Sequence, residues 1–273
     1  NFHIIYFRNL DYIWSIQELL KHPFISFKSN LVSVWRYYFH YLTWPMFGLA
    51  VIGLGKALWQ FIKKFKVENL VLAVWLFVPL IGIAFISKAF TARYILFTVP
   101  IIMIFIIKGL NLLKQNIPSQ AYLVVLIGMF VPAFLFNYRL WNNPAKANFP
   151  KDEYAGYLQE WTAGWGIEEI SQLLKSQPDD QSILVGTEGH FGTLPDGLQI
   201  YVQGEANINV LGIGQPVIGI PESLAEAKKA GNQVYLVVNK SRFKIDNWQE
   251  LGLDQISRYN KPGNDQLLFF KLK

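Results

Sequence analysis

Four stretches of at least eighteen residues, nearly bare of charge, occupy the first half of this chain and leave it few ways to fold: residues 41–62, 70–87, 94–113 and 121–138. A helix crossing the hydrocarbon core of a bilayer needs about 20 mostly apolar residues. Only a helix or a closed barrel satisfies every backbone N–H and C=O there. The first stretch carries Lys56 near its end and closes on Lys63, Lys64 and Lys66. The second lies between Glu68 and Lys88, the third carries Lys108 near its end, and the fourth ends at Arg139 and Trp141. Pro79, Pro100 and Pro132 fall inside three of these stretches, which membrane helices tolerate because neighbours re-satisfy the freed backbone groups. The sequence therefore predicts four transmembrane helices over 41–141.

The rest of the composition agrees. Charged residues are 16% and hydrophobic ones 52%, with a mean hydropathy of +0.23, against about 25% charged in soluble domains. The net charge of +6 does not signal nucleic acid, because the Lys and Arg flank the apolar runs, where they anchor helices at headgroups. Without cysteine, disulfides and thiolate chemistry are excluded. The chain opens on Asn1 with no signal-peptide pattern, which reads as a cut inside a longer protein. Charge leaves both orientations open: Lys63, Lys64, Lys66 and Lys114 lie on one side, and Lys28, Arg36, Lys88, Arg93, Arg139 and Lys146 on the other. Counting only the connecting loops makes the first set cytoplasmic, while counting the flanks reverses it.

Residues 1–40 interleave rings (Phe2, Tyr6, Tyr12, Trp14, Trp35) with charges (Arg8, Asp11, Lys21, Lys28). This suits short interfacial helices, serving either as a juxtamembrane anchor or as one wall of a site at the headgroups. From residue 150 to 273 the pattern is that of a soluble α/β domain. Helices are expected at 166–175, 194–202 and 221–230, and strands at 182–187, 208–213, 233–239, 256–259 and 267–272, the last two a hairpin turned at 261–264. Alternating strands and helices predict a mostly parallel sheet covered on both faces, a three-layer domain.

No complete catalytic constellation is present. The histidines at 3, 22, 40 and 190 lack metal-ligand spacing, and Leu211-Gly-Ile-Gly214 reads as a turn rather than a dinucleotide loop. Thr187-Glu-Gly-His-Phe-Gly192 follows a strand, where parallel sheets bind ligands. Glu188 and His190 there read as an acid and base, as groups that orient a sugar, or as solvated groups of a glycine-rich turn. Glu160-Trp-Thr-Ala-Gly-Trp-Gly166 offers Trp161 and Trp165 to a sugar, to the membrane interface as a foot, or to the packing of a junction loop with a Thr or Gly helix cap. Ser87-Lys-Ala-Phe-Thr-Ala-Arg-Tyr94 crowds two cations and a ring into a short connection at a membrane surface. It reads either as routine headgroup anchoring or as a phosphate grip, Arg93 by its fork and Lys88 as a point charge.

The run Arg93-Tyr-Ile-Leu-Phe-Thr-Val-Pro100 resembles the Arg-Tyr-Leu-Leu-Pro region of the GT-C type polytopic glycosyltransferases that use polyprenyl-phosphate sugars. These include the protein mannosyltransferases and the bacterial aminoarabinose transferases. Arg8-Asn-Leu-Asp-Tyr-Ile-Trp14 through Tyr41-Leu-Thr-Trp-Pro45 resembles their late extracytoplasmic segment. Trp161-Thr-Ala-Gly-Trp-Gly-Ile-Glu-Glu169 is similar to the junction before the C-terminal α/β domain of bacterial members. The resemblance covers most of the chain but only the later part of such an enzyme.

It implies a lipid-linked sugar-phosphate donor, a glycan or protein acceptor, assistance by a divalent metal ion, and a bacterial cell-membrane location with the C-terminal domain outside. It places Lys88, Arg93 and Tyr94 near the donor phosphate. The family's catalytic acid lies in a first extracytoplasmic loop upstream of these residues. Asp11 does not match that position, so no catalytic residue is assigned and this stretch alone is expected to be inactive. The competing class is a membrane-anchored binding or scaffold protein whose α/β domain recognises a ligand. A transporter is disfavoured, because no acid lies within the four apolar stretches.

Overall fold

The computed structural model describes residues 9–178 and 180–273, so Phe2, His3, Tyr6 and Arg8 lie outside the described residues. The chain divides into two compact units, Asn1–Pro150 and Lys151–Lys273.

In the first unit, α1 (Ile16–Lys21) and α2 (Phe27–Tyr41) precede four longer helices: α3 (Thr43–Lys64), α4 (Val67–Ile86), α5 (Val99–Asn116) and α6 (Ser119–Asn142). Ser15 and Glu18 form a reciprocal capping box at the start of α1. The longer helices carry charges suited to their dipoles: Glu68 in the first turn of α4, Lys63 and Lys64 in the last turn of α3, and Lys114 in that of α5. Among the described residues four helical segments are long and apolar enough to cross a membrane: α3, α4, α6 and Ala92–Asn116, which contains α5. This is what an integral membrane protein requires.

The third apolar segment differs in detail from expectation. Instead of an α-helix from Tyr94, it opens as a 3-10 helix, Ala92–Thr98, with α5 starting only at Val99. The reason is Pro100. It has no N–H to give to Leu96, so it sits in the first turn of α5, where that donor would be unused anyway.

The core of this unit lies where α3 crosses α5. Leu49, Gly53 and Ala57 form one buried stripe of α3, and Ile102, Phe105, Ile106 and Gly109 the facing stripe of α5. Small residues let membrane helices approach closely, and packing is their main attraction in a solvent as apolar as leucine. A polar node holds one end of the bundle. Lys108 Nζ donates to Asn69 Oδ1 at 2.9 Å, and Asn69 Nδ2 donates to Gln60 Oε1 at 3.2 Å, which joins α5, α4 and α3. The outward faces keep large apolar side chains uncovered, Trp75, Phe130 and Phe134 among them, as lipid-facing helices do.

The second unit holds α7 (Ile167–Lys175), α8 (Thr193–Tyr201), α9 (Glu222–Lys229) and a five-stranded mixed sheet. Its strands are β1 (Ile183–Thr187), β2 (Ile208–Gly212), β3 (Gln233–Asn239), β4 (Leu253–Asn260) and β5 (Gln266–Leu272), in the order β2-β1-β3-β5-β4. β2, β1 and β3 run parallel, and β5 and β4 close the sheet as the expected antiparallel hairpin. Period-two alternation sorts the side chains of β3. Tyr235 and Val237 join a cluster with Ile170 and Leu174 of α7 and Leu198 of α8, while Val234, Leu236 and Val238 join another with Leu224 of α9. Burial on both faces explains why 233–239 is an unbroken apolar run. At Gly186 a β-carbon would lie 2.6 Å from a terminal methyl of Leu224, so with glycine there the Leu224 side chain of α9 packs directly on β1, and a larger residue would force it to shift.

Candidate functional site

In the first unit the structure ties the basic hairpin 87–94 to the segment before α3. Trp14 N donates to Ile86 O at 2.9 Å, and Lys88 N and Ala89 N both donate to Tyr12 O, at 2.8 and 3.2 Å. Buried Asn30 of α2 caps the end of α4 by donating to Ala84 O and Ser87 O at 3.0 and 2.9 Å. Ser26 Oγ accepts from Trp14 Nε1 at 2.8 Å and donates to Ser87 O at 2.9 Å. Tyr37, almost wholly buried, donates to Phe90 O at 3.2 Å and stacks on the Phe90 ring. The aromatic segment is thus a clamp on the hairpin backbone, a role its sequence did not spell out.

The clamp presents the candidate side chains outward. Lys88 is exposed, its Nζ 5.2 Å from the Trp14 ring centre, and Arg93 is exposed with Cζ 5.4 Å from that of Tyr94. The described residues give neither cation an ion pair with a carboxylate. The nearest influence is on Glu18, whose pKa is lowered chiefly by its hydrogen bonds from Ser15, with Lys88 adding to the effect. Tyr94 is half-buried, packed edge-on to Phe90 at 6.4 Å. The Thr91 hydroxyl is buried without a hydrogen-bond partner among the described residues, so the hairpin keeps one unspent polar group beside its two cations.

In the second unit a buried polar network lies at the carboxyl ends of β1 and β3. Glu188, 1% exposed, follows β1 and accepts from Asn239 N and Nδ2 at 2.6 and 2.7 Å. Arg242 Nε stands 3.8 Å from the same carboxylate, and its guanidinium carbon lies 3.4 Å from the ring centre of Trp161. Lys261, 5% exposed, donates to Glu160 O and Ala163 O, both at 2.9 Å, and to Asn239 Oδ1 at 2.5 Å. Asn239 Nδ2 also donates to Trp161 O at 3.2 Å. Burial pushes the Glu188 carboxyl up against the donors and cations that favour its ionised form, and pushes the Lys261 ammonium down. Charges this deep cost several kcal/mol unless their hydrogen bonds are met. Here they are met, and the result pins the junction loop across the sheet end.

Of the four ligand candidates in this unit, the structure brings Glu188 and Trp161 into one network. It does not bring His190 into it: His190 is exposed, its Nε2 beside Gly214, and no hydrogen bond joins it to Glu188. Trp165 is 41% exposed, and Gly166, at φ +87°, is the N-cap of α7. Leu211-Gly-Ile-Gly214 is not the expected turn: Leu211 and Gly212 end β2, Ile213 N donates to Thr187 O at 2.8 Å, and Gly214 forms a bridge with Gly189 through backbone hydrogen bonds at 2.8 and 3.1 Å, so the run continues the pairing beside β1. Asn239, Arg242 and Lys261 are the network members that sequence reasoning did not single out. The one available signal was an asparagine closing the most apolar strand.

Among the described residues no group of three His, Asp or Glu is placed to hold a metal ion. The described residues therefore supply no such three-ligand cluster for the divalent ion that the resemblance implies. No family model matches the chain, and neither curated proteins nor solved structures give a match.

Proposed function

We propose that this chain is part of a membrane glycosyltransferase that moves a sugar from a polyprenyl-phosphate donor to a glycan or protein acceptor outside a bacterial cell membrane. The observation that carries the reading is the hairpin 87–94. Two cations, free of carboxylate partners among the described residues, project from a short backbone that the aromatic segment holds in place.

A departing lipid phosphate gathers negative charge as its bond to the sugar breaks. Donors already fixed at that point stabilise the charge without reorganising. Arg93 offers a fork to two phosphate oxygens and Lys88 a point charge. Tyr94 holds Arg93 by its ring and orients it. The base that activates the acceptor lies outside the residues described, and no step is routed through a metal ion.

In this reading the first unit sits in the bilayer with the hairpin at its extracytoplasmic surface. The second unit, on the same side after an even number of passes, is a three-layer α/β domain, which its two apolar clusters on opposite faces of the sheet support.

The test is turnover of a polyprenyl-phosphate sugar by the full-length protein in membranes. Arg93→Ala is expected to lower transfer about a hundredfold or more at unchanged expression and insertion. Transfer equal to wild type would reduce the hairpin to an anchor. A wild type inert across a donor panel would leave the membrane-anchored binding protein as the better reading.

A further inference from the structure

A sheet with the order β2-β1-β3 reverses its winding between β1 and β3, and such sheets bind ligands in the crevice outside those strand ends. Here that crevice is filled from within. Glu188 and Asn239 stand at the two strand ends, and the backbone of 160–163 is bonded down onto them by Asn239 and Lys261. The filling displaces the open space outward, to a groove of about 820 Å3 lined by Gln159, Trp161, Lys240, Ser241, Asn264 and Asp265 among others. That volume is typical of small-ligand clefts, about 300–1,000 Å3.

The groove is rigid where recognition needs it to be. Arg242 packs on the Trp161 ring while the Trp161 carbonyl is held by Asn239. Asp265 accepts from both Ser241 N and Ser241 Oγ, at 2.9 and 2.8 Å, which fixes the opposite wall. Its lining carries both signs, Lys240 against Glu160 and Asp265, together with the amides of Gln159 and Asn264 and the Ser241 hydroxyl that Asp265 holds.

We propose that this groove binds a neutral saccharide, the acceptor glycan or its nearest units, a choice that rests on the transferase reading above together with the lining chemistry. A tryptophan face suits the C–H side of a sugar ring and loses little entropy because it is already fixed. Amides and hydroxyls both give and take hydrogen bonds, as sugar hydroxyls do. An anionic or cationic ligand would meet a like charge in Glu160 or Lys240.

The experiment is saturation-transfer NMR on the full-length protein in detergent, with maltotriose, mannotriose and chitotriose as probes. Transfer to at least one trisaccharide is expected, reduced at least fivefold in Trp161→Ala and in Asn264→Ala. Trp161 is tied into the network, so its loss risks misfolding. Asn264 lies on an exposed turn and keeps the test readable. Silence of the wild type toward all three sugars, or equal signals from wild type and Asn264→Ala, would overturn the proposal. Sugar transfer from the lipid donor, assayed on the same preparations, separates the two readings. Turnover without trisaccharide binding sinks the groove alone, and binding without turnover supports the groove while sinking the transferase.

Discussion

Replacing Gly53 by alanine tests the packing of the membrane unit most sharply. A β-carbon built on Gly53 of α3 would lie 1.7 Å from the Phe105 carbonyl oxygen and 2.9 Å from Gly109 N, both backbone atoms of α5. Carbon–oxygen contacts close to about 3.3 Å, so the helices must separate by roughly 1.6 Å. No rotamer can relieve the clash, because the obstacle is backbone. Separation loosens the contacts of Leu49, Ala57, Ile102 and Phe105 together, and overpacking of a well-filled core costs about 1–3 kcal/mol, occasionally more. We expect the top of that range for Gly53→Ala. Gly109→Ala is expected to cost less, because its β-carbon meets Leu49 O at 2.3 Å and is about 1 Å short. Gly48, Gly55 and Gly128 have nothing within 4 Å of a β-carbon. Alanine there should be neutral or stabilising by up to about 1 kcal/mol, since glycine is the poorer helix former. The assay is thermal unfolding of the detergent-solubilised protein followed by monodispersity. The expected ranking is Gly53→Ala below Gly109→Ala, both well below wild type, and the three control variants at or above it. A Gly53→Ala protein melting with the controls would refute the close crossing of α3 and α5.

Asn69→Ala removes the partner that holds Lys108 and Gln60 at one end of the bundle and should cost about 1–2 kcal/mol in the same melt. Lys261→Met leaves Glu160 O, Ala163 O and Asn239 Oδ1 without their shared donor; a loss of about 3 kcal/mol should appear as faster proteolysis at 160–166. Glu188 has its carboxyl pKa raised above the usual 4.5, chiefly by burial, so the folded state holds that proton more tightly than the unfolded chain does. Its contribution is complete below pH 4.5 and is lost as pH rises through the raised value. Wild type should therefore lose stability relative to Glu188→Gln as pH climbs from below 4.5, and a constant difference between their melting temperatures would refute this. The chain has no cysteine, so single cysteines report topology cleanly. An impermeant maleimide should label Ile218→Cys on intact cells and Lys64→Cys only after permeabilisation, and the reverse pattern would overturn the proposed orientation.

The sequence made some of this legible for identifiable reasons. The helices of the membrane unit follow from a length of apolar chain that no soluble fold would leave uncovered, and β3 was readable because both its faces are buried. The break at 92–98 was hidden, since apolarity says nothing about where a proline sends the helical hydrogen bonds, although Pro100 itself was in view. The juxtamembrane segment was readable as aromatic but not as a clamp. Its hydrogen bonds join Tyr12, Asn30 and Tyr37 to residues more than fifty positions away, and such pairings leave no periodic trace.

The candidate sites illustrate the same divide more pointedly. Lys88, Arg93 and Tyr94 are local to one hairpin, so a reading of consecutive residues could find them. The Glu188 network is assembled from 160, 161, 188, 239, 242 and 261, and only the stretches 160–166 and 187–192 looked chemical; Asn239, Arg242 and Lys261 did not. What drew attention to Glu188 was an acid next to glycines after a strand, which suggested a reactive group. Its surroundings give it another task, because both its oxygens already accept from Asn239 and neither points at open space. The buried charge organises a loop and hands the polar, ligand-facing positions to Gln159, Lys240 and Asn264 beside it. A carboxylate held this way acts through the tryptophan it positions. Its substitution should therefore move saccharide affinity and loop protection together, whereas a proton-transfer role would move turnover alone.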